Sequence, residues 1–305
     1  MGKAIMIRSL LAVGALAGAL GVAAPASAAE ETPHPPHLSW SFAGPFGMFD
    51  RAQLQRGFKV YREACAGCHS LNRVFFRNLS QPGGPEFSPA QVRALAAEYK
   101  IQDGPNEAGE MFERPGRAAD TFPPPFPNEN AAAAANGGKA PPDLSGMAKA
   151  RTYERGFPWF VLDALPIPFI GMYQENGPDY VAALLDGYVE PPAGFPVPPG
   201  GHYNQYYPDH IIAMPKPLND GQIEYAKGED GRPVVPETVA QYAKDITAFL
   251  MWSAEPTLEQ RKQLGFKVIG FLLLLAGLLY FTKKRIWDRV GGDPVGLLPE
   301  GEQRH

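Results

Sequence analysis

From Leu264 to Thr282 the chain reads LGFKVIGFLLLLAGLLYFT, nineteen residues with no acidic side chain and one lysine near the start. A run of that length spans the hydrocarbon core of a bilayer as a helix, and four successive leucines leave no polar face for a buried core helix. Lys267 can snorkel to the near interface, and Trp287 suits the headgroup region. Lys283, Lys284, Arg285 and Arg289 follow at once, so the positive-inside rule puts the C-terminus in the cytoplasm and everything before the span outside. The first 28 residues agree with export. Lys3 and Arg8 precede an apolar run from Leu10 to Ala24 that ends at Ala26-Ser27-Ala28, the pattern of a cleaved secretory signal. The expected layout is a signal over 1–28, an exported domain over 29–262, an anchor over 263–283 and a tail over 284–305.

Thirty-three glycines and 33 prolines in 305 residues are far more than ordinary usage, so much of the exported domain must be irregular loop. The formal charge of -4 removes a whole-molecule case for nucleic acid as a partner. The charge is unevenly spread: residues 29–260 carry 18 basic and 28 acidic side chains, whereas the tail is basic. An acidic exported surface suits steering of a basic soluble partner, and it equally suits plain solubility.

Both cysteines fall in Cys65-Ala66-Gly67-Cys68-His69. Cysteines at i and i+3 project from one side of a helical turn and can each reach a vinyl group of one porphyrin, while the adjacent histidine offers an imidazole to the iron. The same spacing serves redox dithiols and half of a zinc site. No second cysteine pair completes a zinc site, and no thioredoxin-like strand pattern surrounds the motif. The motif therefore predicts one covalently bound haem c. Asp50 can cap a helix whose Leu54, Phe58 and Tyr61 share a face and deliver the motif at its end. A second helix is expected over Pro236–Trp252, with Val239, Tyr242, Ile246, Phe249 and Leu250 on one stripe. Together these predict a mainly α c-type cytochrome fold with long Pro/Gly-rich loops around one haem, plus a C-terminal transmembrane helix.

An electron carrier needs a second axial ligand. Met48, Met111, Met147, Met172, Met214 and Met251 are available, with His34, His37, His202 and His210 as rivals. Met251 lies on the packing pattern of the second helix, which favours core filling. Met214 stands in Ile-Ile-Ala-Met-Pro-Lys-Pro, where Pro215 keeps it out of helical geometry. On chemistry alone Met214 leads and Met172 stays open.

The chain resembles the cytochrome c1 family, the membrane-anchored haem subunits of the cytochrome bc1 (quinol:cytochrome c oxidoreductase) complex, in its bacterial form. The resemblance runs over nearly the whole exported part. It is carried by Trp40 to Gly47 (WSFAGPFG), Cys65 to Leu71, Gly104-Pro105-Asn106-Glu107, Arg114-Pro115-Gly116, Pro141-Pro142-Asp143-Leu144-Ser145 and Asn176-Gly177-Pro178-Asp179-Tyr180. Gly187-Tyr188 with Glu190-Pro191-Pro192, Tyr203 to Tyr206, Ile212 to Pro215 and Phe249 to Trp252 with Glu255-Pro256 continue it up to the anchor.

The resemblance implies Cys65 and Cys68 as thioether anchors, His69 as fifth ligand and Met214 as sixth. It places Pro142 beside His69, where a carbonyl could orient the imidazole, and Arg151 beside a haem propionate. Tyr180 and Asn106 are further pocket residues on the same ground. Residues 157–173 (FPWFVLDALPIPFIGMY) read as an insertion relative to mitochondrial members, and the disulfide that stabilises this part of the fold in some bacterial members is impossible here because haem consumes both cysteines. Ala131–Ala135 reads as a loop and short helix without chemistry.

The implied activity is a relay of single electrons from a Rieske iron-sulfur protein to a soluble c-type cytochrome, beside cytochrome b in a dimeric complex in the bacterial inner membrane, with lipid around the anchor and the haem domain in the periplasm. The polypeptide then supplies no catalytic acid, base or nucleophile. Glu107, Glu110 and Glu113, and Glu224, Glu229 and Asp230, are candidate docking charges. The alternatives are a membrane-anchored c-type cytochrome serving a terminal oxidase, or a haem enzyme with an open iron site.

Overall fold

Helix α6 (Val239–Ala254) is the axis of the fold: from Tyr242 to Ser253 all but one of its side chains are buried, because α1 (Arg51–Val60), α5 (Asn176–Asp186) and α4 (Met147–Ala150) pack around it. The computed structural model describes residues 32–153 and 176–290. The expected signal, residues 157–173, Met172 and the tail beyond 290 lie outside the described residues. Among the described residues the other α-helices are α2 (Pro89–Ala97), α3 (Glu129–Ala135) and α7 (Leu258–Val290). Two short antiparallel pairs, β1 (Lys100–Asp103) with β2 (Phe112–Pro115) and β3 (His202–Tyr203) with β4 (Ile211–Ile212), complete a mainly helical molecule.

Helix α1 begins where Asp50 Oδ1 accepts the Gln53 amide at 3.2 Å, as its cap position predicts. Leu54, Phe58 and Tyr61 are buried on the face turned to α6. Gly57 lies at the crossing, where a Cβ would stand 2.1 Å from the Asp245 carbonyl oxygen and 2.7 Å from Phe249 Cβ. Only the absence of a side chain lets the two backbones come this close. Asp245, fully buried, accepts from Arg56 at 2.9 and 3.1 Å, Tyr225 at 2.9 Å, Gln241 at 2.9 Å and Gln53 at 3.2 Å. That many donors satisfy a carboxylate removed from water.

Helix α6 starts three residues later than the Pro236 boundary. Thr238 caps the Gln241 amide at 3.4 Å and Asp220 accepts the Val239 amide at 2.7 Å, so two side-chain acceptors fix the start. Its burial also exceeds one stripe, since packing comes from three sides.

The N-terminal segment is strapped to α5 through the buried Asp179, which accepts Trp40 Nε1 at 2.7 Å, the Leu38 amide at 3.1 Å and His37 Nδ1 at 3.1 Å. Helix α7 is 33 residues, about 50 Å at 1.5 Å per residue, and is long and apolar enough to cross a membrane. It extends past the apolar run at both ends. Its first turns are joined to the domain: Arg51 grips Glu259 at 2.7 and 2.8 Å, Glu259 also accepts the Phe49 amide at 2.8 Å, and Glu255 pairs with Lys149 and Arg261.

Gly57→Ala should force α1 away from α6 and lower stability by about 1–3 kcal/mol, the usual cost of overpacking a closed core. A thermal melt followed at the helical circular dichroism signal reads this directly, and an unchanged midpoint would contradict the close crossing.

Candidate haem-binding site

Helix α1 does not stop at Val60 but widens into one π-helical turn, Tyr61–Cys65, in which the Ala66 amide reaches back to the Tyr61 carbonyl at 2.8 Å. The Cys65 carbonyl then accepts the amides of Cys68 at 3.1 Å and His69 at 2.9 Å, winding the motif into a tight turn. Cys65 is buried among core side chains while Cys68 is exposed on the turn. Burial, reinforced by the neighbouring Cys68, pushes the Cys65 thiol up to about 12. Such a thiol is a poor redox nucleophile, unlike the electropositive, exposed cysteine of a dithiol oxidoreductase. Among the described residues no group of three or more His, Cys, Asp or Glu could hold a metal ion, so the donor set is not that of a zinc site.

His69 Nδ1 lies 2.8 Å from the Pro142 carbonyl oxygen. A carbonyl only accepts, so this contact assigns the proton to Nδ1 and leaves Nε2 as the nitrogen with a lone pair. Burial lowers the imidazole's affinity for a second proton, with the Pro142 carbonyl and the Asp143 charge opposing. The ring is thereby kept neutral and oriented, the condition for a metal ligand.

Pro142 is held by its neighbours. Asp143 Oδ2 accepts Ser70 Oγ and the Asn72 amide, each at 2.8 Å, and Oδ1 accepts the Ser145 amide at 2.9 Å. Ser145 Oγ accepts the Arg73 amide at 3.1 Å, and the single hydroxyl proton of Ser253 in α6 lies between the Leu250 carbonyl at 2.8 Å and the Ser145 carbonyl at 3.1 Å. Burial opposes ionisation of Asp143, but these donors outweigh it and hold the carboxyl below its usual range. Asp143 and Ser70 escaped the sequence reading; the D-x-S spacing at 143–145, an Asx-type turn, was the available signal.

Met214 is half-buried against the apolar cluster that also contains Cys65, Leu71, Leu144 and Tyr180. Its carbonyl accepts Tyr188 Oη at 2.9 Å. Asn204, fully buried, donates from Nδ2 to the Leu184 carbonyl at 2.8 Å, and its amide donates to the His210 carbonyl at 2.9 Å, so the end of α5 and the Met214 loop share one brace. No role for Tyr188 or Asn204 is legible in the sequence, because the carbonyls to which their side chains donate, those of Met214 and Leu184, lie 26 and 20 residues away.

Tyr180 is buried on α5, where Arg151 and Tyr207 lie close enough to act on its hydroxyl electrostatically. Gly177 makes that neighbourhood: a Cβ there would stand 2.0 Å from the Ala148 carbonyl oxygen and 3.0 Å from that of Arg151. Arg151 ends α4 and is exposed. Asn106 is exposed at the β1–β2 turn, where Oδ1 accepts the Ala108 and Glu110 amides at 2.9 Å each. Among the described residues no hydrogen bond joins it to Cys65, His69 or Met214.

The other ligand candidates are placed elsewhere. Met251 is in the core of α6, Met48 and Met111 are exposed, Met147 opens α4, and His37 is held by Asp179. His34 packs on Tyr153, and His202 sits in β3. His210 is buried, with its ring stacked on Tyr203 at 5.5 Å and its Nε2 unpartnered.

The residues present fit a haem: an oriented neutral imidazole, a half-buried thioether on the apolar cluster that contains Cys65, and two thiols one turn apart. Fold, motif and apolar helix together define a c-type cytochrome on a membrane anchor. The model of the cytochrome C1 family matches residues 40–290, and the chain belongs to that family, whose cofactor is haem c. It is 58% identical over 287 residues to cytochrome b/c1 of Bradyrhizobium diazoefficiens, covering 94% of this chain and 40% of that protein. The chain thus spans about two fifths of that relative's length. It is 45% identical over 288 residues to cytochrome c1 of Blastochloris viridis, with 94% and 98% covered. It is 46% identical over 263 residues to the mitochondrial cytochrome c1-2 heme protein of Solanum tuberosum, with 86% and 88% covered.

Asp143→Ala should release the 70–73 segment from 142–145 at a cost of about 2 kcal/mol, the range for hydrogen bonds to a charged acceptor. Hydrogen exchange at the Asn72 and Ser145 amides should speed up while exchange in α6 is unchanged. Equal protection in both proteins would remove Asp143 from its supporting role.

Proposed function

We propose that this chain is the electron-carrying subunit of a cytochrome bc1 complex, receiving one electron at a time from a Rieske iron-sulfur protein and passing it to a soluble c-type cytochrome. The observation that carries the reading is an imidazole fixed by the Pro142 carbonyl and a methionine loop fixed by Tyr188, with Cys65 and Met214 on one apolar cluster. Cys65 and Cys68 would hold the haem covalently, and His69 and Met214 would be its axial ligands. Pro142 orients His69. Arg151 would lie beside a haem propionate, and Tyr180 and Asn106 would be further pocket residues. Bound haem supplies a one-electron iron couple, and histidine with methionine raises its potential to suit a carrier downstream of quinol.

The chain's own contribution is to hold both ligands still, exclude water and offer no acid, base or nucleophile. In this reading residues 29–262 lie in the periplasm, 263–283 cross the bacterial inner membrane, and the tail is cytoplasmic, following the basic cluster after Thr282. Cytochrome b accompanies the anchor in a dimeric complex. Glu107, Glu110, Glu113, Glu224, Glu229 and Asp230 are all exposed and suit a basic soluble acceptor.

Mild detergent extraction of native membranes, tracing the covalent haem, should recover this chain with a b-type cytochrome and a Rieske protein, and the extract should reduce soluble cytochrome c with quinol. Recovery with a copper-containing oxidase would replace the assigned complex. Met214→Leu should lower the midpoint potential by on the order of 0.1 V or more, within the roughly 0.8 V range that axial ligands span. A potential left unchanged would move the sixth ligand to another side chain, Met172 or, among the described residues, His210 through its unpartnered Nε2.

A further inference from the structure

The loop from Trp40 to Phe49 turns its aromatic residues two ways. Trp40, Phe42 and Phe49 are inside, whereas Phe46 is 77% and Met48 56% exposed. This division is built into a tight turn. The Ala43 amide donates to the Trp40 carbonyl at 3.1 Å and the Met48 amide to the Ser41 carbonyl at 2.9 Å. Gly47 folds back so closely that a Cβ would stand 2.1 Å from the Ala43 carbonyl oxygen. Phe42 packs on Trp40 at 5.3 Å and on Phe49 at 5.1 Å, which locks the loop's inner side.

The same loop is fixed to the start of α7. Lys262 Nζ donates to the carbonyls of Phe42 at 2.6 Å and Gly47 at 3.1 Å. Phe46 lies face to face with Phe266, at 4.9 Å between ring centroids and 7° between planes. Phe266 is two residues into the apolar run that opens at Leu264, about 3 Å along a helix rising 1.5 Å per residue. Around it Leu264, Val268, Ile269 and Phe271 are exposed on every side of the helix, so the surroundings that receive these side chains are apolar all round.

We propose that Phe46 and Met48 form a second membrane contact, inserted at the headgroup–acyl boundary of the leaflet beneath the haem domain. This rests on α7 crossing the bilayer. The partner is lipid, because the exposed ring continues the lipid-facing surface of α7 at the same depth, and the Lys262 ammonium beside it suits the phosphate level. One helix leaves a domain free to tilt. A helix plus a wedge locked to it fixes the tilt, as in interfacial segments that bury apolar side chains at the boundary.

The test is a nitroxide label on Phe46→Cys in the haem-loaded full chain within its extracted complex, reconstituted in phosphatidylcholine/phosphatidylglycerol vesicles. Labels on Leu272→Cys and on Val234→Cys, an exposed residue distant from α7 in the chain, serve as references. Power saturation compares collisions with oxygen and with a water-soluble nickel chelate. The expected oxygen-to-nickel ratio at position 46 is several-fold above that at 234 and below that at 272. A ratio equal to that at 234 overturns the wedge. Protection from both reagents also overturns it, showing a protein neighbour in place of lipid. A water-like ratio at 272 instead removes the membrane span itself, and the wedge falls with it, a failure distinguishable from the first two.

Discussion

The crossing of α1 and α6 at Gly57 and Asp245 supports both halves of the site. At its far end α1 becomes the widened turn that carries Cys65 and presents Cys68 and His69. Near its own end α6 packs on α4 and brings the Ser253 hydroxyl within 3.1 Å of the Ser145 carbonyl, in the segment whose Pro142 meets His69. The anchoring side of the imidazole and its orienting side thus come from elements that meet at one crossing. The buried carboxylate makes that crossing specific: five donor contacts converge on Asp245, and sliding either helix by one turn would strand a charge away from water.

A chain so rich in glycine and proline has few ladders to satisfy its backbone, and the structure shows what takes their place. Side chains bond to distant main-chain groups at the loops that matter. Asp143 holds Asn72, Asp179 holds Leu38, Asn204 holds Leu184, Tyr188 holds Met214 and Lys262 holds Phe42 and Gly47. Buried polar side chains in such a protein act as local substitutes for sheet and helix bonds. This explains why Asn204 and Asp179 tolerate almost complete burial.

That division also marks what could be read in advance. The cap at Asp50, the apolar face of Leu54, Phe58 and Tyr61, and the anchor were legible because their signals are local and periodic. The start of α6 was misplaced by three residues because Asp220, nineteen positions upstream of Val239, helps to set it. The C-x-x-C-H motif announced its cofactor, while the carbonyl beside His69 could be expected only through family resemblance. Tyr188 was not legible as a support, and of Asp143 only its local turn to Ser145 was, since their bonds to Met214 and Asn72 depend on loops returning from far along the chain. The two-residue strands β3 and β4 are too short to leave an alternating pattern.

The helix that crosses the membrane is not a loose tether. Arg51, the first residue of α1, grips Glu259 in the first turn of α7, and that pairing holds the Glu259 carboxyl below its usual range against the opposing cost of burial. From Arg51 the haem motif is a ten-residue helix and a five-residue π-helical turn away, about 20 Å. A rigid path therefore runs from the apolar helix through one ion pair and along α1 to Cys65. Such a path fixes the distance from the apolar helix to the haem motif, where a flexible linker would leave it to diffusion. The charge pair at Arg51 and the ring pair at Phe46 and Phe266 brace the same junction from two sides, one through salt-sensitive attraction and one through apolar contact that salt does not screen.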